Sequence, residues 1–223
     1  QGQYGEIHLL GLWLPRHSAP LDAELSRLRG HREERNLKIL DRLRSIGINI
    51  GYQEVLDEAG GESVGRPHIA RVLQKRGIVS NFAQAFELYL GYYGAAYVPR
   101  TLLTPEEGVS LMADLGAVVS FAHPMLIRCP PSWFDEIIPR LKEAGLGAIE
   151  AYHSEHSARD ERFCVELAAR YGLGLSGGSD YHGMAKPGVE LGRGKGGLRV
   201  TVALLDALKA RRKRPVDDAP EVL

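Results

Sequence analysis

Two polar motifs, each directly following a short apolar run, constrain this chain more than any other feature. Ala117-Val118-Val119-Ser120-Phe121 leads into Ala122-His123-Pro124, and Gly172-Leu173-Gly174-Leu175 leads into Gly177-Gly178-Ser179-Asp180-Tyr181-His182. Short apolar runs of this kind read as buried strands. Metal-binding and acid/base residue types at the C-terminal ends of parallel strands are how an α/β barrel builds an active site. Pro124 ends the first strand and disfavours helical geometry at His123. Asp180 and His182 are two apart, so in an extended segment both side chains point to one side. A carboxylate and an imidazole so placed suit a divalent metal such as Mn, Zn or Fe. Gly177 and Gly178 permit a tight backbone or the close approach of a ligand.

Around these motifs the pattern alternates. A strand is expected at Ile7–Leu12, closed by Pro15, and further strands at 117–121, 146–152 and 173–176. Thr104-Pro105-Glu106-Glu107 supplies an N-cap, a proline in the first turn and acids at a helix start. Ser132 is expected to cap the next helix, which runs to Ala144; later helices fall near 158–171 and 201–211. Strands separated by helices of this length imply βαβ units and a parallel sheet. Between the first strand and the rest, Leu21, Leu25, Leu28, Leu37, Leu40 and Leu43 recur at helical spacing among many charges. Residues 1–20 and 104–215 therefore read as one α/β unit, 21–103 as a helical insertion domain and 216–223 as a polar, acidic tail.

Bulk properties narrow the classes. The 28 basic residues balance 28 acidic ones, which excludes a global basic field drawing the chain to nucleic acid or membrane. Cys129 and Cys164 lack CxxC spacing, so a reduced, cytoplasmic protein is expected rather than a disulfide scaffold. No apolar run reaches the roughly 18 residues of a membrane span. The chain opens on Gln1 and reaches a core strand almost at once, with neither initiator Met nor signal-peptide pattern, and is expected to be a fragment.

Several residues carry two readings each. His8, within Ile7-His8-Leu9-Leu10, is a core histidine or a ligand. Tyr152-His153-Ser154-Glu155-His156 is a solvated loop or a substrate contact at a barrel mouth. Arg66 and His68 begin a helix after Gly65, which is either a capped surface helix or a phosphate seat. Arg32, Arg35 and Asn36 lie on one helix and read as a solvated charged face or as residues that reach a substrate backbone.

Taken in order, the motifs are more specific than their parts. The strand holding His8, Gly-Arg-Pro-His-Ile-Ala (65–70), Ala-Tyr-Val-Pro-Arg (96–100), Phe-Ala-His-Pro (121–124), Ile-Glu-Ala-Tyr-His-Ser-Glu-His (149–156) and Gly-Gly-Ser-Asp-Tyr-His-Gly (177–183) resemble the PHP (polymerase and histidinol phosphatase) superfamily over about residues 5–210. The nearest pattern is its stand-alone bacterial branch with a helical insertion, the nucleoside 3′,5′-bisphosphate phosphatases and 5′–3′ exoribonucleases of the ribonuclease AM type. The resemblance implies a partial, distorted (β/α)7 TIM-like barrel and a cluster of up to three divalent metals, usually Mn, with Fe or Zn as alternatives. It implies His8 and His123 as ligands of one metal, Asp180 of a second and His182 of a third. Asp180, His182 and His123 then carry catalysis. Arg66, His68, His153 and His156 match positions near the substrate phosphate. The implied reaction is hydrolysis of phosphate esters of nucleotides or short RNA, with no protein nucleophile. Three family elements have no counterpart: a His-x-His strand, an Asp-His strand end and a metal-bridging Glu. The chain is therefore expected to be either an amino-terminally truncated phosphoesterase or a catalytically incomplete relative that binds a nucleotide or a partner.

Overall fold

The computed structural model describes residues 4–183 and 186–212; the tail at 216–223, with Lys213 and Arg214 of the basic run, lies outside the described residues. The chain divides into two compact units, Ala19–Leu102 on one side and Gln1–Ser18 with Leu103–Leu223 on the other.

The first of these is helical. Helix α1 (Ala19–Ser45) buries Arg35, Asn36, Ile39, Leu40 and Leu43, a spacing that places them along one helical stripe. That stripe joins a core with Ile50, Val55, Ile69, Leu73 and Leu90, contributed by α2 (Tyr52–Ala59), α3 (Arg66–Lys75) and the segments around them. Helix α4 (Phe82–Ala85) runs on into one π-helical turn, Phe86–Leu90. The solvated face expected at Arg35 and Asn36 is thus corrected. Both are buried, and both donate to backbone carbonyls: Arg35 Nε to Val98 O at 2.8 Å and Asn36 Nδ2 to Val64 O at 3.1 Å. A buried guanidinium is tolerable only with such partners.

The second unit is built on four strands, β1 (Leu9–Leu12), β2 (Val118–Phe121), β3 (Leu146–His153) and β4 (Gly174–Gly178), in that spatial order. Strands β2, β3 and β4 are parallel, joined by α6 (Ser132–Glu143) and α7 (Ala158–Tyr171). Strand β1 departs from the parallel sheet expected, since it runs antiparallel to β2 with Leu9 opposite Phe121. The parallel expectation rests on a helix crossing back over the sheet. Between β1 and β2 the chain instead makes a whole separate unit and then α5 (Pro105–Asp114), so no single crossover sets the strand direction.

Every residue of β2 is buried, and its side chains alternate between two cores. Val119 and Phe121 pack with Phe134, Ile138, Leu141, Ile149 and Leu167 under α5, α6 and α7. Val118 joins Ala148 and Leu208 of α8 (Val202–Lys209) on the opposite face. Helix starts follow local chemistry. Thr104 accepts from Glu107 N–H while Glu107 accepts from Thr104 N–H, and Ser157 with Asp160 does the same for α7. Ser132 does not cap α6, contrary to expectation; it is the first helical residue. Pro131 already has helical angles (φ −54°, ψ −34°), so the proline pair starts the helix by fixing φ. Among the described residues, no helix is long and apolar enough to cross a membrane.

Candidate active site

Parallel strands deliver their C-terminal ends to one edge of a sheet, and three candidate residues lie there. His123 follows β2 by two residues, His153 is the last residue of β3, and Asp180 follows β4 by two. An antiparallel β1 brings its beginning, not its end, to that same edge. His8 sits there beside β2, its carbonyl accepting from Ala122 N–H at 3.0 Å. The reversed strand is therefore what joins His8 to the group.

The rings pack as a chain. His8 Nδ1 and His123 Nε2 are 3.2 Å apart; the His123 and His153 centroids are 5.4 Å apart, and those of His153 and His156 5.1 Å. Asp180 Oδ2 lies 3.7 Å from His153 Nε2. Two of these residues have left-handed backbones, His123 with φ 29° and Asp180 with φ 54°. Such angles cost little for Asp and more for His, and mark positions held by their surroundings. Asp180 is therefore not extended, which corrects the expected one-sided pairing with His182. The chain turns at Asp180, and His182 Nδ1 donates back to the Asp180 carbonyl at 2.9 Å with its side chain 60% exposed. His182 is next to Asp180 but apart from the buried rings.

Hydrogen bonds settle which ring nitrogen carries the proton. A neutral imidazole has one N–H and one lone pair. His156 Nδ1 lies 2.9 Å from Ala151 O, so it donates and leaves a lone pair on Nε2, which is buried without a partner. His182 likewise donates through Nδ1, which leaves the lone pair on Nε2 of an exposed side chain. His153 is the reverse. Its Nδ1 accepts from Glu155 N–H at 3.2 Å, so the proton is on Nε2, pointed toward Asp180. Burial, reinforced by the neighbouring His156 and His123, pushes the His153 pKa down to about 4 and keeps it neutral. His123 is also lowered, first by burial and then by His8.

Two charged residues not singled out from the sequence belong to this edge. Lys186 Nζ bonds Asp180 Oδ2 at 2.7 Å and Glu155 Oε1 at 3.0 Å, and its ammonium holds the Asp180 carboxyl below the usual carboxylate range against the opposing effect of burial. Glu150, in the middle of β3, is 4% exposed, and its Oε2 accepts from His123 N–H at 2.8 Å. Burial pushes the Glu150 pKa up to about 7. The signal for Glu150 was a lone acid inside an otherwise apolar strand; for Lys186 there was none beyond its nearness to Asp180 in the chain. Neither cysteine takes part: the Cys164 thiol is buried and pushed up to about 12.

Imidazole lone pairs and a carboxylate suit a divalent ion in kind. In number they fall short. Among the described residues no group of three or more His, Cys, Asp or Glu is placed to hold a metal. The donors come as pairs, His8 with His123 and His182 with Asp180, and the proton on His153 Nε2 turns that nitrogen from a ligand into a donor.

Arg66 and His68 lie in the helical unit. There a cavity of about 360 Å³ is lined by His31, Arg32, Arg35, Arg66, His68 and Arg100 among others, with no acidic residue in its wall. Arg66 bonds Leu90 O at 2.9 Å and stands 5.6 Å over the Phe86 ring. His68 Nδ1 accepts from Gly65 N–H at 3.1 Å, which caps α3 and leaves the proton on Nε2.

No protein-family profile matches the chain. Individual relatives do. It is 30% identical over 189 residues to the 5′–3′ exoribonuclease Rnm of Escherichia coli, covering 84% of this chain and 64% of that protein. It is 27% identical over 212 residues to a 3′,5′-nucleoside bisphosphate phosphatase of Chromobacterium violaceum, covering 95% and 74%. A solved structure from Bifidobacterium adolescentis, described as a candidate metal-dependent phosphoesterase, superposes with a TM-score of 0.70 at 26% identity over 93% of this chain and 72% of that one. The chain thus spans just under two thirds of the length of the exoribonuclease. Fold and motifs together define a relative of bacterial phosphoesterases. These relatives are consistent with the PHP superfamily, which the ordered motifs resemble.

Proposed function

We propose that the protein is a metal-dependent hydrolase of phosphate esters in nucleotides or short RNA, of the bisphosphate phosphatase and 5′–3′ exoribonuclease kind. One observation carries the reading: His8, His123, His153 and Asp180, from four separate strands, meet at one sheet edge. The names of the relatives support it. In this reading residues 1–20 and 104–215 are part of a distorted (β/α)7 barrel and 21–103 its helical insertion.

The donor pairs present, His8 with His123 and His182 with Asp180, would each supply part of a site for divalent metal, Mn, Fe or Zn. Bound metal supplies charge to the phosphate and lowers the pKa of a water. The chain's own residues do the rest. His153 presents Nε2–H to a phosphate oxygen, and its low pKa keeps it a neutral donor. Lys186 can pass from Asp180 to the incoming anion. Within the helical unit, the Arg-lined cavity suits an anionic group.

A test offers Mn, Fe or Zn with a nucleoside 3′,5′-bisphosphate or a 5′-phosphorylated short RNA and measures released phosphate or nucleotide. Hydrolysis that stops on chelation is expected; no hydrolysis with any metal sinks the reading. The paired donors favour one second reading, a catalytically incomplete relative that only binds nucleotide. That alternative is distinguished by nucleotide binding without metal uptake or turnover.

Arg66→Ala is expected to raise KM roughly 10- to 100-fold, the loss of a charged hydrogen bond, while metal affinity stays unchanged. Arg66→Lys keeps the charge but not the fork, and is expected to fall between. An unchanged KM in Arg66→Ala removes it from the substrate site.

A further inference from the structure

We infer that Glu150 is a positioning residue, whose buried carboxylate sets the backbone turn that aims His123 into the site, and that Gly178 lacks a side chain to make room for it. The inference rests on the phosphoesterase reading above for its catalytic consequence, though not for its geometry.

Three observations converge. Glu150 is the sole acidic or basic residue of β3 apart from its neutral terminal histidine, and it is almost fully buried on a strand between two others. A buried carboxylate is costly unless it is bonded. Its Oε2 spends that capacity on one group, the N–H of His123 on the neighbouring strand, at 2.8 Å. His123 has φ 29°, outside the ordinary regions for a residue with a side chain, so something must hold it there. The peptide N–H whose direction depends on that φ is the one Glu150 grips. On the other side of Glu150, a Cβ at Gly178 would lie 2.8 Å from Oε1, closer than real contacts allow. Gly178 is not among the positive-φ glycines, so space, not backbone freedom, accounts for glycine here. The three residues come from β3, the end of β2 and the end of β4. They therefore tie together the three strand ends that carry His153, His123 and Asp180.

The test follows the ring Cε1–H resonance of His123, assigned by its loss in His123→Ala, together with kcat and KM. Glu150→Ala should shift that resonance and lower kcat about 10- to 100-fold, with KM within about twofold, as for loss of a partner that orients a site residue. Glu150→Gln keeps an acceptor oxygen and should restore both the resonance and, within about threefold, kcat. Gly178→Ala keeps Glu150 but crowds its carboxylate, and should reproduce the Glu150→Ala shift. This variant carries the test if Glu150→Ala does not fold. A His123 resonance unmoved in Glu150→Ala, or in Gly178→Ala where the first is unfolded, overturns the inference. So does a Glu150→Gln protein as displaced as Glu150→Ala. Should the wild-type protein hydrolyse no phosphoester, the functional reading fails, while the resonance still decides whether Glu150 positions His123.

Discussion

In the proposed phosphoesterase, Asp180→Asn is expected to reduce hydrolysis by more than about 100-fold while leaving the thermal unfolding midpoint within a few degrees of wild type. Loss of an outer partner of a metal site typically costs 10- to 100-fold, and Asp180 is the carboxylate beside His153 at this edge, so a larger loss is expected. Asn is the informative substitution. Asp180 has φ 54°, a conformation that Asn adopts readily and Ala does not, so Asp180→Ala mixes backbone strain with loss of charge. Removing the charge also releases Lys186, bonded to Asp180 at 2.7 Å; it retains Glu155 at 3.0 Å, which limits the cost to the fold. His123→Ala should lose activity on the same scale. Turnover at wild-type rate in either variant takes that residue out of the site. Circular dichroism melts alongside the assay separate loss of chemistry from loss of structure.

The second large effect is in stability against pH, for the chelated protein. His153 and Glu150 are shifted in opposite directions by the same cause, burial. The folded His153 resists protonation until about pH 4, while in the unfolded chain it is protonated below its ordinary value of 6.5. From 6.5 down to 4 the unfolded state binds more protons, and stability falls as pH falls. Glu150 does the reverse. Folded, it takes its proton from about pH 7 downward, whereas the unfolded chain waits until 4.5, so stability rises as pH falls through that window. Each slope is worth up to about 1.4 kcal/mol per pH unit, and the two nearly cancel between 6.5 and 4.5. Replacing one exposes the other. Relative to wild type, Glu150→Gln should lose up to about 3 kcal/mol on going from pH 6.5 to 4.5, and His153→Gln should gain about as much. Carboxylates elsewhere slope identically in all three proteins, so the difference curves isolate the pair. Parallel curves across this range would falsify the assignment of opposed burial to these two groups.

Much of the element pattern is local and was legible in the chain. The segment 117–121 reads as a buried strand because small and apolar residues sit between a helix end and a proline, and all but Ala117 of it is strand. The start of α5 is written in Thr104 and Glu107, whose capping depends on residues three apart. The helical character of 21–103 follows from leucine spacing, and a compact unit occupies Ala19–Leu102. Where local signals misled, a neighbour far along the chain had intervened. Arg35 and Asn36 look solvated until Val98 and Val64 offer them carbonyls. Asp180 and His182 look like two ligands on one side until a left-handed turn separates them.

By itself, then, the sequence determined which segments become strands and helices, and that histidines and an aspartate follow the strand ends. Periodicity, capping and the polar residues after apolar runs act over a few residues, so they can be read without a partner. Tertiary structure alone decided that β1 is antiparallel, so that its beginning and not its end carries His8 to the site. It also decided which nitrogen holds the proton in His153, His156 and His182, and that Glu150 faces His123 across a strand boundary. Those outcomes depend on hydrogen bonds between groups as many as 115 residues apart, as for His8 and His123, and no local pattern encodes such a pairing.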